Sequence, residues 1–488
     1  MGQKTSRQAR DRVPVSTPVG EYSSPRIQAT GGSSPTPTAN ALIHEDVSQS
    51  SSGWATPHIE SRSDIAVSRS LLQFSIDLLR EMRRSSSAGD NVVLSPYAVA
   101  SALHELLVGS RGETAAQIAT VLHVTTGEMV THYFTERDSG IPNRRRCEPQ
   151  LRFDMGYMNS VHHDCSVGRT VGAQAPGGQQ MGERLGRFSW DFVHAAEQSS
   201  EEIDQYVGLY TRAFEPEEVM PKGRITPSTR VCFLSAVDFR GSWRYAFDDC
   251  SATREPFSEA DGTTSAVIMA HQRGRFPFAK CPELKATALL LPYQAPGVGA
   301  GGMASGPSTP HDGRCSPTEE PQHGPEFSLV IFLPDEHNGL DSVEAKRNTV
   351  TALQCLGKLR PRDEINVSLP LFKVKQVTEL APALSALGVR DVFSDRALLW
   401  GSKAGEKRVS MIRHAAAFET ARTGGRSHSH STMQVGQLET ALVQGLTSLV
   451  KTPQHGDEFV VNRPFLFFLI CTNPDTLILL GSVRKITW

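Results

Sequence analysis

Phe233-Leu234-Ser235-Ala236-Val237-Asp238-Phe239-Arg240-Gly241-Ser242-Trp243 is the stretch on which the reading of this chain turns. It is entered through Val231-Cys232-Phe233-Leu234, an apolar run rich in the residue types that fill β-strands. Further runs of the same kind lie downstream, at Ala286–Leu291, Phe327–Leu333, Ile365–Leu369, Leu466–Ile470 and Leu477–Val483. Upstream the period changes. Ile65, Val67, Leu71, Leu72, Ile76, Leu78 and Leu79 recur at helical spacing over Ala66–Arg83. Ser95-Pro96 starts a second helix, with Ser as N-cap and Pro in the first turn. Val99, Leu103, Leu106 and Leu107 form its apolar face, and Gly109 stops it. Thr114–Leu122 reads as a short third helix. A helical first half and a strand-rich second half make the chain α+β.

Two stretches fall outside this pattern. Residues 1–64 are rich in Ser, Thr, Pro, Gly and Arg, as in Gly31-Gly32-Ser33-Ser34-Pro35-Thr36-Pro37. Such a segment has too little apolar surface to offset the entropy of ordering, so it reads as a disordered tail. Residues 294–325 are dense in Gly and Pro and separate two strong strands, which marks an inserted flexible loop. The folded domain is expected over residues 65–488.

The chain of 488 residues is 39% apolar and 21% charged, with a formal net charge of −2. Phosphate binding needs a basic excess, so nucleic acid is not expected as a partner. No long uncharged apolar run is present to span a membrane, and Met1–Ser70 lacks a secretory apolar core. The eight cysteines include no CxxC pair. Cys232, Cys355 and Cys471 sit in apolar stretches and read as buried thiols. These features favour a reducing, cytoplasmic site.

Several segments resemble segments of the serpins, in serpin order. Asn91–Pro96 with Leu103, Gly109, Gly112-Glu113-Thr114 and Leu122 is similar to that family's second helix and the turn after it. Ile203–Val207 with Thr211 resembles the start of the helix crossing the front of the main sheet. Phe233–Trp243 resembles a strand ending in Phe-x-Gly-x-Trp. Leu291-Pro292-Tyr293 and Phe332-Leu333-Pro334 match paired strand ends. Leu369–Lys373, Leu387-Gly388-Val389 with Asp391 and Phe393, His414–Glu419, Asn462–Phe467 and Leu479–Val483 continue the series. The resemblance implies a serpin fold: a large, mostly antiparallel central sheet, smaller sheets, about eight or nine helices and an exposed reactive-centre loop, here residues 422–460. It also implies that Ser95, Ser235 and His414 form a hydrogen-bonded cluster beneath the main sheet that governs its opening. In that cluster Ser235 stands where serpins usually have Asn, and Ala98 where they have Ser. Gly172–Gly186 is Gly-heavy where a helix is expected, which weakens that helix.

The resemblance further implies inhibition by mechanics. The protease cleaves the exposed loop and is held as an acyl-enzyme. The loop then inserts as a new strand before water releases the enzyme. A strand sends alternate side chains to opposite faces. Counting from the hinge at Arg422 and Gly424, one face carries Gly425, Ser427, Ser429, Ser431, Met433 and Val435. The other carries Arg426, His428, His430, Thr432 and Gln434. The small face suits the core, although buried serines need partners. The alanine-rich run usual in the family is absent, and Arg422 stands where the family has Glu. Serpin spacing places the cut between Leu438 and Glu439, which suits a chymotrypsin-like or cathepsin-like protease. Cleavage beyond this, for example after Lys451, would leave too much slack to drag a protease.

Leu438, Leu442, Leu446, Leu449 and Val450 also fall near helical spacing. A second reading is therefore a non-inhibitory serpin that binds a partner protein through this long, partly helical loop.

Met1-Gly2-Gln3-Lys4-Thr5-Ser6 fits the N-myristoylation pattern, with Gly2 as acceptor. Lys4, Arg7, Arg10 and Arg12 supply the basic cluster that a single acyl chain needs for membrane-surface association. Against this stands a plain basic tail. His162, His163 and Cys165, and likewise His428 and His430, lack a second ligand pair at metal spacing and read as surface or loop residues. Arg144-Arg145-Arg146 reads as a solvated basic turn. Asn366-Val367-Ser368 is a glycosylation pattern within a strand. No G-x-S-x-G, H-E-x-x-H, phosphate loop or dinucleotide fingerprint is present. The chain is thus expected to be a monomeric, non-enzymatic inhibitor without cofactor or metal.

Overall fold

A computed structural model describes residues 62–125, 127–140, 153–165, 185–247, 252–294, 326–361, 364–420, 457–472 and 476–487. Among them are eight α-helices and three sheets. No described helix is long and apolar enough to cross a membrane.

Helix α1 spans Arg62–Ser85 and buries Val67, Leu71, Phe74, Leu78, Leu79 and Met82. It begins earlier than the sequence reading placed it. Residues 62–64, read as tail, belong to it, because Asp64 in the first turn suits the positive end of the helix dipole. Helix α2 (Pro96–Gly109) is capped as expected, with the Ser95 side chain accepting the Ala98 N–H at 3.2 Å. Gly109 is needed for packing as well as for stopping the helix: any Cβ there would collide with the Trp400 ring. Helices α3 (Gly112–Val121) and α4 (Gly127–Gly140) pack beside α2.

The largest sheet has seven strands and is antiparallel throughout. Its order is β1 (Val92–Leu94), β16 (Thr476–Val483), β15 (Phe465–Thr472), β9 (Glu326–Pro334), β8 (Ala286–Pro292), β7 (Pro277–Cys281) and β10 (Arg360–Pro361). β9, β15 and β16 are almost wholly buried, which their continuous apolar runs predict. Helices α6 (Leu340–Lys346), α7 (Thr349–Gly357) and α8 (Ala381–Leu387) complete this half.

A four-stranded sheet has the order β14 (Asp457–Val460), β11 (Ile365–Pro370), β6 (Thr264–Gly274) and β5 (Thr253–Ser258). β14 lies at its edge, parallel to β11. The loop read as residues 422–460 therefore ends earlier, since its last four residues hydrogen-bond into this edge. Asn366 and Ser368 do lie in a strand, β11.

The third sheet carries the residues of interest. Its order is β12 (Lys373–Glu379), β13 (Val409–Thr420), β4 (Val231–Gly241), β2 (Phe153–Asp164) and β3 (Leu185–Trp190). β4 ends as its sequence suggests: Trp243 stacks on Tyr293 with ring centroids 4.4 Å apart. The inner face of the sheet, with Phe233, Val237, Phe239, Ile412, Ala416 and Phe418, joins the main core. The outer face is covered by α5 (Ala196–Tyr210), whose Ile203, Val207 and Tyr210 pack with Met158, Leu234, Ala236 and Ala415. Leu185 and Gly186 of the Gly-heavy stretch begin β3, and residues 172–184 lie outside the described residues.

Candidate functional site

The centre of the five-stranded sheet is a seam. β13 and β4 run parallel through eleven registered pairs, from Val409↔Val231 to Thr420↔Gly241. Their outer neighbours β12 and β2 are each antiparallel to them. A chain that leaves β13 at Thr420 and doubles back would therefore meet both seam strands in antiparallel orientation. The backbone at the seam can accept such a strand without reversing either partner.

Ser95, Ser235 and His414 meet on the inner face of the seam, and all three are buried. His414 stands opposite Ser235 in register. The Ser95 backbone N–H donates to His414 Nε2 at 2.8 Å. Nε2 being an acceptor, the neutral ring carries its proton on Nδ1, which lies 2.8 Å from Ser235 Oγ and donates to it. Ser95 Oγ donates to the Ile478 carbonyl at 2.6 Å, joining the seam to β16. Burial lowers the His414 pKa to about 3, so the ring is neutral across the physiological range. A Ser–His pair alone does not make a hydrolase. This one is shut away from solvent, and its imidazole is already committed at both nitrogens.

Asn159 escaped the sequence reading. It lies on β2, directly opposite Ser235 in register, and is buried. Its Nδ2 donates to the Ala98 carbonyl at 3.2 Å. A side-chain amide thus reaches α2 from the strand beside the one where the family resemblance expects it. A lone amide close behind Met155-Gly156-Tyr157-Met158 is the only signal the sequence offers for it. Ser235→Ala should destabilise the protein by about 1–3 kcal/mol, the usual result of leaving a buried donor without an acceptor. Urea denaturation at pH 7 measures this, and an unchanged midpoint would show that the His414 proton goes elsewhere.

His162 and His163 are neither on the surface nor in a loop, contrary to the sequence reading, but buried in β2. Trp190 Nε1–H donates to His162 Nδ1 at 2.9 Å, and His162 Nε2 lies 2.8 Å from Ser160 Oγ. The ring stacks on Phe188 with centroids 5.1 Å apart. Burial and then the neighbouring His163 lower its pKa to about 3. Two polar partners and an aromatic face let an apolar interior accept this ring. Asp164, exposed Cys165 and exposed Asp191 bring one ligand-type atom each within 4.8 Å of one another. Two of the three are already engaged, Asp164 by the Phe192 N–H and Asp191 by His194.

Cys232, Cys355 and Cys471 are buried thiols outside any disulfide, as expected, and Cys281 is a fourth among the described residues. Gly2, Arg144–Arg146, Arg422, Gly424, Gly425, Arg426, Ser427, His428, Ser429, His430, Ser431, Leu438 and Glu439 lie outside the described residues.

A family profile described as "Serpin (serine protease inhibitor)" matches residues 69–486. The protein Iris of Ixodes ricinus is 26% identical over 435 residues, spanning 87% of this chain and all of that protein. The leukocyte elastase inhibitor of Homo sapiens is 28% identical, spanning 84% of this chain and 96% of that one. Among solved structures, uncleaved ovalbumin superimposes with a TM-score of 0.65 at 21% identity, covering 86% of this chain and all of ovalbumin. An Arabidopsis serpin in its native stressed conformation gives a TM-score of 0.66 at 20% identity, covering 88% and 99%. These two likenesses concern the fold.

Proposed function

The chain belongs to the serpin family, and from that premise we propose that it inhibits a serine protease by suicide cleavage and insertion of its reactive-centre loop. The observation that carries this reading is the parallel seam between β13 and β4, flanked on both sides by antiparallel neighbours. The segment beginning after Thr420 follows one seam strand in the chain, and its two-residue alternation would put its small side chains on one face of an inserted strand.

The chemistry belongs to the protease. Its serine Oγ attacks the Leu438 carbonyl, an ester forms, the Leu438–Glu439 peptide bond breaks, and the Glu439 amine leaves carrying the proton. Water would next hydrolyse the ester. Insertion of residues 425–435 between β13 and β4 competes with that step and carries the esterified protease away from Thr420. Leucine before the bond favours a chymotrypsin-like serine protease, with cathepsin-like cysteine proteases as a second class. The relatives named leukocyte elastase inhibitor support a protease partner.

The relatives named leukocyte elastase inhibitor and the buried thiols Cys232, Cys281, Cys355 and Cys471, outside any disulfide among the described residues, support an intracellular setting. Acylation of Gly2 beside Lys4, Arg7, Arg10 and Arg12 would add membrane-surface association. The second reading, a non-inhibitory partner-binding protein, rests on the helical spacing of Leu438, Leu442, Leu446 and Leu449.

Incubation with chymotrypsin-like, trypsin-like and cathepsin-like enzymes, followed by denaturing electrophoresis, separates the two. A covalent adduct that survives denaturation is the expected result. Cleavage without adduct, and without any gain in thermal stability, would replace inhibition by the second reading.

A further inference from the structure

Three side-chain links reinforce the backbone ladder along the seam between β4 and β13 among the described residues. At one end Ser410 Oγ accepts the Arg230 N–H at 2.8 Å. In the middle His414 holds Ser235 at 2.8 Å. At the other end, one register step before Thr420↔Gly241, the Arg240 guanidinium is hydrogen-bonded to the Glu419 carboxylate. Only this last link is charged. It also stands where β13 leaves the sheet, so an incoming strand would reach it first.

The surroundings concentrate on Glu419. Along one row of the outer face it faces Arg240 across the seam and Lys373 on β12. The Arg240–Glu419 pair therefore joins one strand of the seam to the other, and opening the seam must break it. Beneath it the Phe239 and Phe418 rings lie nearly parallel, at 7°, with centroids 6.2 Å apart. A shallow pocket opens at this point, lined by Arg212, Asp238, Arg240, Lys373 and Glu419. The mouth of the seam is thus accessible, apolar below and closed by one ion pair above.

We propose that Arg240 and Glu419 form an electrostatic latch at the mouth of the seam, which sets how fast a new strand enters between β4 and β13. The inference rests on the inhibitory reading and deepens it. Both are positioning residues, since neither touches the protease. The pair is partly exposed, with side-chain exposures of 60% for Arg240 and 20% for Glu419. Its effect is accordingly that of a surface pair, about two- to fivefold in rate, and it is weakened by salt.

The test uses the full chain and a synthetic peptide of residues 424–437. Annealing is followed through the rise in thermal midpoint, at about 0.02 M and about 0.5 M salt. Wild-type protein is expected to anneal faster in high salt. Arg240→Ala and Glu419→Ala should each anneal about two- to fivefold faster in low salt and lose the salt dependence. The exchanged pair Arg240→Glu with Glu419→Arg should restore both slow annealing and salt dependence, which a merely structural role would not. Equal rates in all four proteins, or a salt dependence that survives in Arg240→Ala, would overturn the latch. If the peptide anneals to none of them, the ratio of covalent adduct to cleaved product on denaturing gels serves instead. It should rise in the single variants and return in the exchanged pair. Adduct at equal ratios would overturn the latch and leave inhibition standing. Neither annealing nor adduct would overturn both.

Discussion

Moving the protein from pH 7 to pH 5 should remove about 6 kcal/mol of its folding stability through three histidines alone. Burial lowers His104 to about 4 and both His162 and His414 to about 3. Unfolded, each would titrate near 6.5. At neutral pH both states are unprotonated, and the histidines do not favour either one. As the pH falls through 6.5 the unfolded chain takes up three protons that the folded one refuses. Stability is therefore full above about 6.5, declines towards 4 and 3, and levels off below the folded values. At pH 5 each histidine accounts for about 2 kcal/mol, and the sum is a large share of the 5–15 kcal/mol typical of a domain. Urea denaturation at a series of pH values should show a proton uptake on unfolding from these residues that grows from about one or less at pH 7 to close to three at pH 5. A midpoint that holds steady over that range would mean that these rings are charged in the fold.

Gly425→Arg should abolish adduct formation while leaving cleavage intact, a loss of about a hundredfold or more in the ratio of adduct to cleaved product. Insertion of residues 425–435 would place this guanidinium on the face that meets Phe233, Val237, Ile412 and Ala416. An unpaired charge there costs several kcal/mol, and every 1.4 kcal/mol slows the step about tenfold. Hydrolysis of the ester is untouched by the substitution and overtakes insertion. The control is its neighbour. Arg426 would lie on the opposite face, so Arg426→Ala should retain adduct. If both variants formed adduct, or Arg426→Ala lost it, the proposed register would be wrong by one residue. The measurement is densitometry of denaturing gels after reaction with a chymotrypsin-like protease.

How much of this was legible beforehand varies by element. Ser95-Pro96 announced α2 and its cap, because capping is a local rule written in adjacent residues. β9, β15 and β16 announced themselves as continuous apolar runs, because strands buried on both sides need no alternation. β2 was silent. Its centre holds Asn159, Ser160, His162 and His163, all buried, and its apolar signal is lost among groups that satisfy one another through Ala98, Trp190 and neighbouring strands. Those partners are tens of residues away, beyond the reach of any window. Helix α4 was missed for a related reason: among its described side chains, Val130, Tyr133 and Phe134 mark the buried side, and they stand in a mostly polar stretch of sequence. The cluster of Ser95, Ser235 and His414 came from family resemblance, and geometry placed Asn159 beside it, opposite Ser235 in register and bonded to the Ala98 carbonyl. The Arg240–Glu419 pair could not have been read from the chain at all, since it depends on the register of two strands 179 residues apart.

The attachment of β14 carries one more consequence. The segment that departs at Thr420 is tethered again at Asp457, on a different sheet. While the backbone is whole, that second anchor limits how far the segment can travel down the seam. A cut between the two anchors, proposed above at Leu438, would set the upstream half free, which would make the protease the trigger of its own capture. The anchor itself is slight, four residues at a sheet edge with a single neighbouring strand. Were it to peel away, the same collapse would proceed without any cut, and the molecule would be spent unused. On this view β14 sets the shelf life of the loaded form.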